Sequence, residues 1–226
     1  MLRFIARALK ITTAIILILL VLSIAVVILY KYIPIPGTPL MYSRQLFEGK
    51  EINYEWVQLE EITPDLPLAV VASEDNLFTS HNGFDFQQIE IARKEAEKGK
   101  KLRGASTISQ QTAKNVFLWQ ERSWVRKGLE VYFTILIEQI WGKRRIMEVY
   151  LNCIEMGNGI YGAAAVAKHH FNRRPSELTR EQCALIAATL PNPLKRNSKK
   201  PTKQLIKSQK RILRNMKNVW KVEYPD

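Results

Sequence analysis

A run of twenty uncharged residues, Ile11 to Tyr30 (ITTAIILILLVLSIAVVILY), limits what this chain can fold into more than any other feature. As a helix rising about 1.5 Å per residue it can cross a hydrocarbon core of about 30 Å. The run exceeds the roughly 7–15 residues of a cleaved leader's apolar region, and no small-x-small pattern follows it, so it reads as a transmembrane anchor and not as a signal peptide. Arg3, Arg7 and Lys10 precede it, and Lys31 is the only charge between it and Arg44. The positive-inside bias then keeps the amino terminus in the cytoplasm and puts everything after Lys31 outside. The segment Ile33-Pro34-Ile35-Pro36-Gly37-Thr38-Pro39 is too stiff and donor-poor for a helix and suits a short spacer close to the bilayer.

The 226 residues, 46% hydrophobic, leave room after the span for one globular domain with a sizeable core and none for a second catalytic domain. The expected organisation is a basic cytoplasmic end (1–10), a transmembrane helix (11–30), a juxtamembrane spacer (31–60), a body (61–194) and a basic amphipathic helix (195–226). The net charge of +13 is unevenly placed: residues 195–226 carry eleven Lys or Arg against Glu223 and Asp226. Leu205, Ile212, Met216 and Val219 recur there at helical intervals, so one face is apolar and the rest cationic. Docking beside an anionic membrane and packing on the body with solvated charges both fit that pattern. Nucleic acid is not the expected partner of an external, anchored domain. Outside the cytoplasm Cys153 and Cys183 could pair if the fold brings them together, but both lie in apolar helical contexts and read first as buried thiols. His81, His169 and His170 lack partners at metal-ligand spacing.

Helical periodicity dominates the body. Thr63 and Pro64 can open a helix running towards Glu74. Within VVASEDNLFTSHNGFD (Val70–Asp85) the pair Glu74-Asp75 follows a buried apolar run, where surroundings can tune a carboxyl for acid or base work; an ordinary helix end with solvated acids is the plain alternative. After a charged helix ending near Gly99, Arg103-Gly104-Ala105-Ser106-Thr107-Ile108-Ser109-Gln110-Gln111 gathers hydroxyls and tandem amides. Ser106 is placed to cap a helix whose first-turn amides face an anion, with Lys114 further along it. Ser123–Trp141 reads as a central core helix holding Glu130 and Glu138; each needs a partner if buried. Glu138 suits a structural ion pair, and Glu130, one turn beyond Arg126 and Lys127, suits a cleft wall. Strand signal is confined to short pieces such as Tyr54–Leu59.

Five ordered blocks carry a resemblance: Glu74-Asp75 with Phe78, His81 and Gly83-Phe84-Asp85; Arg103 to Gln111; Arg126-Lys127-Gly128-Leu129-Glu130; Arg145 to Asn152; and Gly162 through an alanine-rich stretch to Leu190-Pro191. From about Glu61 to Pro193 the chain resembles the peptidoglycan glycosyltransferases, the lysozyme-like polymerases of lipid II, and among them the monofunctional membrane-anchored members. Ser109 stands where the family usually has Thr, and His169-His170-Phe171-Asn172-Arg173 replaces an aromatic followed by Phe-Gly-Lys.

The resemblance implies a mostly α, lysozyme-like fold in the cell inner membrane, with a periplasmic domain that joins lipid II to a growing glycan strand. It implies Glu74 as the base and Glu130 as the second glutamate, orienting pyrophosphate directly or through a divalent cation such as Mg or Mn. Asp75, Arg103, Ser106, Gln110, Gln111, Lys114, Arg122 and Arg126 are the implied substrate-binding residues. Cell-wall synthesis or division proteins are open as partners. A lysozyme-like hydrolase or lytic transglycosylase would also use one dominant glutamate, but it gives no reason for Lys114 and Arg122. A non-catalytic scaffold leaves both glutamates idle.

Overall fold

In the computed structural model, residues 1–99, 104, 106–219 and 222–224 are described. They form two compact units, Met1–Pro34 and Ile35–Asp226. The first is one helix, α1 (Leu2–Tyr32), which ends where Ile33 turns extended. Its leucines, isoleucines and valines are mostly exposed, Leu19 by 60% and Val21 by 63%, so its apolar surface is unburied, as in a helix compatible with a membrane anchor.

In the second unit the chain folds sooner than expected. Pro39 occupies the first turn of α2 (Pro39–Glu48), where its missing N–H costs nothing, and Thr38 Oγ1 accepts from the Met41 N–H at 3.3 Å. Leu40 and Met41 pack with Tyr161, Ile52 and Tyr54. Residues 35–60, most of the expected spacer, thus belong to the folded body, in which Ile35 and Thr38 are buried. The strand signal at Tyr54–Leu59 resolves into a two-residue β1 (Asn53–Tyr54) and a 3-10 turn at Leu59–Glu61. β1 pairs parallel with β3 (Ile160–Tyr161), which pairs antiparallel with β2 (Glu155–Gly157).

The remaining elements are helical: α3 (Asp65–Glu74), α4 (Phe86–Glu97), α5 (Ile108–Phe117), α6 (Trp124–Ile140), α7 (Gly142–Cys153), α8 (Gly162–Val166) with a π-helical turn to Phe171, α9 (Arg180–Thr189) and α10 (Lys203–Asn215). α3 starts with Pro64 at its cap position and no side-chain cap, so the Thr63 hydroxyl does not open it. Asp65 in its first turn instead pairs with Arg180 at 2.8 Å.

The centre of the body is α7, buried without a break from Ile146 to Cys153, together with α9 and α3. Two devices lock α7. The Asn152 amide accepts from the Val57 N–H (3.0 Å) and donates to the Val57 carbonyl (2.9 Å), as a neighbouring strand would. Gly162, at φ +79°, lies so close to α7 that a Cβ would sit 2.2 Å from the Asn152 carbonyl oxygen, which only glycine allows. Cys153 and Cys183 are free and buried, as expected.

Two expectations change. α6 is not a core helix: it buries Arg126, Glu130, Thr134 and Ile137, while Trp124 (93%), Val125 (68%) and Ile135 (48%) are exposed. Its buried stripe is mainly polar because four-residue spacing puts Arg126, Glu130 and Thr134 on one face, where they bond to one another. α10 turns its apolar face, Leu205, Ile212 and Met216, onto the body beside α9, leaving its cations in solvent. Packing on the body is therefore the reading that holds, and that apolar face is not free for lipid.

Candidate active site

Glu74 is the last residue of α3, whose Leu66, Ala69, Val70, Val71 and Ala72 are buried. The chain leaves the helix at Asp75, and there the backbone is tied down. Asp75 accepts from His81 Nε2 (3.0 Å) and from the Ile108 N–H (2.9 Å), the first amide of α5. His81 Nδ1 accepts from the Gly83 N–H at 3.1 Å, so the ring proton is on Nε2. Thr107 Oγ1 donates to the Gly83 carbonyl at 2.6 Å, stitching the loop to the start of α5. Gly83 is at φ +89°, and a Cβ there would press on Thr134 of α6. The Asp75 side chain is 1% exposed with its oxygens engaged, so it holds this corner together and offers no free oxygen to a ligand.

α5 opens differently from the sequence reading. Thr107, not Ser106, is the cap: its hydroxyl accepts from the Gln110 N–H, and Gln110 Oε1 accepts from the Thr107 N–H (3.1 Å). The Ile108 N–H therefore goes to the Asp75 carboxylate and the Gln110 N–H to this capping box, so neither is offered to a bound anion, and Gln110 is buried in the box. Gln111 is the tandem amide that reaches the site. Its Nε2 donates to Glu74 Oε2 (3.2 Å), while Tyr150 of α7 donates to its Oε1 (3.2 Å), which fixes the amide's orientation. Ser73 donates to the other Glu74 oxygen at 3.3 Å.

Burial pushes the Glu74 carboxyl above the ordinary carboxylate range; the Gln111 and Ser73 hydrogen bonds and the positive charge of Arg196 oppose that rise, and Asp75 adds to it. The carboxyl, mostly buried yet reached by solvent, is thus suited to exchanging a proton.

Three residues beyond Gln111, hence on the same helical face, stands Lys114. Burial holds its ammonium below the usual lysine range; Glu130 counters this, while Arg126, Lys127 and Arg122 reinforce it. These residues share one field. Arg126 Nη1 lies 2.7 Å from one Glu130 oxygen and Lys127 Nζ 2.5 Å from the other. Arg126 Nε also donates to the Glu121 carbonyl at 3.0 Å. Four cations against one buried carboxylate give a nest of net +3, which Lys114 enters one helical turn beyond Gln111. Glu138, as expected, is a structural partner, 2.7 Å from Lys143, and it also accepts from Ser109.

The fold therefore joins Glu74 with Gln111, and Lys114 with Arg122, Arg126 and Glu130. It places Asp75 and Gln110 in supporting roles, and Ser106 on an exposed loop whose carbonyl Gln111 Nε2 meets at 3.5 Å. Arg103 lies outside the described residues. Tyr150, Lys127 and Arg196 also belong to the site. The first two sit inside motif blocks and could have been flagged; nothing in the sequence marks Arg196.

The site thus combines a carboxyl of raised pKa, gripped by Gln111 of α5, with Lys114 one turn further along that helix in the field of Arg122, Arg126, Lys127 and Glu130. The family model described as Transglycosylase matches residues 42–217. A "Biosynthetic peptidoglycan transglycosylase" of Bacteroides thetaiotaomicron is 61% identical over 199 residues, 86% of this chain and 80% of its own. Proteins of the same name from Caulobacter vibrioides (50% over 211 residues, 93% and 92%) and Bdellovibrio bacteriovorus (51% over 203 residues, 88% and 81%) are similar too. The chain belongs to the Transglycosylase family.

Proposed function

We propose that this chain polymerises lipid II into β-1,4-linked glycan strands of peptidoglycan. The acceptor's sugar 4-hydroxyl oxygen attacks the anomeric carbon of the polyprenyl-pyrophosphate donor with inversion. Its proton passes to Glu74, and the electron pair of the broken C–O bond leaves on the pyrophosphate. That group departs already negative, so it requires stabilisation by charge more than protonation. The observation that carries the reading is the placement on α5: Gln111 grips Glu74, and one turn later Lys114 enters the nest of Arg122, Arg126 and Lys127. Base and leaving-group pocket are thus held by one rigid helix.

Glu130 acts here through its field, keeping Arg126 and Lys127 aligned. Both its oxygens are engaged by those cations, and no three His, Cys, Asp or Glu side chains converge among the described residues. This does not suit Glu130 as a direct ligand of Mg or Mn. A hydrolase expelling a sugar alkoxide would call for an acid where this site offers cations. We further read α1 as a single-pass anchor in the inner membrane, with the amino terminus cytoplasmic and the catalytic unit periplasmic; the basic residues before the span support this orientation.

The test is polymerisation of labelled lipid II by the purified full chain. Wild type should yield long strands and leave finished uncrosslinked strands intact. Glu74→Gln, which keeps shape and loses the base, should bind lipid II and lose turnover by roughly a hundredfold or more. Normal turnover in that variant, or shortening of finished strands by wild type, would sink the reading.

A further inference from the structure

Beyond α9 the chain turns back on itself. The Asn192 N–H donates to the Thr189 carbonyl at 2.9 Å, and the Arg196 N–H to the Asn192 carbonyl at 2.9 Å. Arg196 is half-buried, and its Nη1 donates to the Ala188 carbonyl at 2.9 Å in the last turn of α9. That helix end gathers carbonyl oxygens and favours a cation. α9 packs against α3 with its first residue paired to the first residue of α3, Arg180 to Asp65 at 2.8 Å. Both helices are ten residues long, so Glu74 and Ala188 lie at matching ends. The guanidinium is thereby anchored at the end of the α3–α9 pair where Glu74 lies, and its charge acts on Glu74.

The other groups facing Glu74 do not supply that charge. Gln111 of α5, Ser73 of α3 and Tyr150 of α7 are neutral donors, and Tyr150 gives its proton to Gln111. Asp75 is acidic and works in the opposite sense, while His81 is turned to Asp75. The cation nest around Glu130 acts on Lys114. The hydrogen bonds from Gln111 and Ser73 oppose the burial of the carboxyl too, but among these groups Arg196 is the one that does so by positive charge.

We propose that Arg196 is a positioning residue of the transfer reaction, the counter-cation that holds the Glu74 side chain ready to take the acceptor's proton. This rests on the reading of Glu74 as the base. Arg196 makes no bond to Glu74 and needs none, since a fixed charge in a partly buried site acts across several ångströms. It serves both halves of the step: it favours the carboxylate before attack and, by remaining charged, favours return of the proton to solvent afterwards.

The experiment is the pH dependence of kcat/KM for lipid II polymerisation by the full-length chain in detergent. Arg196→Gln removes the charge and keeps a donor for the Ala188 carbonyl, so the turn after α9 retains its support. Its acid limb should move to higher pH by about one unit, a roughly tenfold loss at pH values below the limb, with the high-pH plateau within about threefold of wild type. Arg196→Lys, which restores charge, should bring the limb back towards wild type, and lipid II binding should be unchanged in both. Should Arg196→Gln melt below the assay temperature, Arg196→Met takes its place. An acid limb unmoved in the charge-removing variant, or moved equally by lysine, overturns the proposal. Glu74→Gln in the same series separates the two readings: if it is inactive while the limb stays put, only the role of Arg196 fails. If it turns over normally, the base lies elsewhere and both fail.

Discussion

Lys114 holds a charge where the fold disfavours it, with burial and three neighbouring cations against it and Glu130 alone supporting it. Such a site gives up stability until an anion arrives. Lys114→Met keeps the length and removes the charge, so the variant should melt higher and work worse. A gain of about 1 kcal/mol would appear as a rise of roughly 2–4 °C in a chain of this size. Loss of one charge-assisted phosphate contact would slow lipid II turnover roughly tenfold to a hundredfold. Melting curves and strand synthesis measured together check this; lower melting with full activity would count against the nest. Glu74 carries the same conflict with the opposite charge. Its folded value is raised, so between the ordinary carboxylate range and that raised value the folded state binds more protons than the unfolded one, and stability falls as pH rises through this window. Glu74→Gln escapes that loss. It should be more stable than wild type at neutral pH, and the difference should close as pH is lowered through the window; denaturant titrations across pH would show whether it does.

At the level of elements, much of the architecture was legible because it is written in local chemistry. The apolar run of α1, the hydrophobic stretch before Glu74 and the apolar face of α10 all follow from composition and period. What was not legible depends on partners far away in sequence. Ser106 and Thr107 are equally good caps on paper, and the choice falls to Thr107 because its hydroxyl also meets the Gly83 carbonyl. Gln110 and Gln111 look interchangeable, yet one closes the capping box and the other faces Glu74 because they lie about 100° apart around the helix. α6 misled most. Its apolar residues suggested burial, but the contacts of Glu130, Thr134 and Gly83 turned the polar stripe inward. Arg196 was invisible because its meaning comes from the packing of α9 on α3, 122 positions away from Glu74.

Taken as a whole, the chain joins an unburied apolar helix to a body whose cations are strongly polarised in sequence. The proposed topology is open to a direct test, since both native thiols are buried and a cysteine introduced at Lys207, on the exposed face of α10, would be the reactive one. An impermeant maleimide added to intact spheroplasts should label it; labelling only after lysis would refute the periplasmic placement. One further consequence follows from the reversed faces of α6. With Trp124, Val125 and Ile135 turned outward, Ile35–Asp226 is itself an amphiphile. Trimming the anchor removes the greasiest segment but does not yield a well-behaved soluble fragment: the shortened protein will cling to phenyl resin, resist extraction by salt washes, and stay monodisperse only while a surfactant shields that ridge.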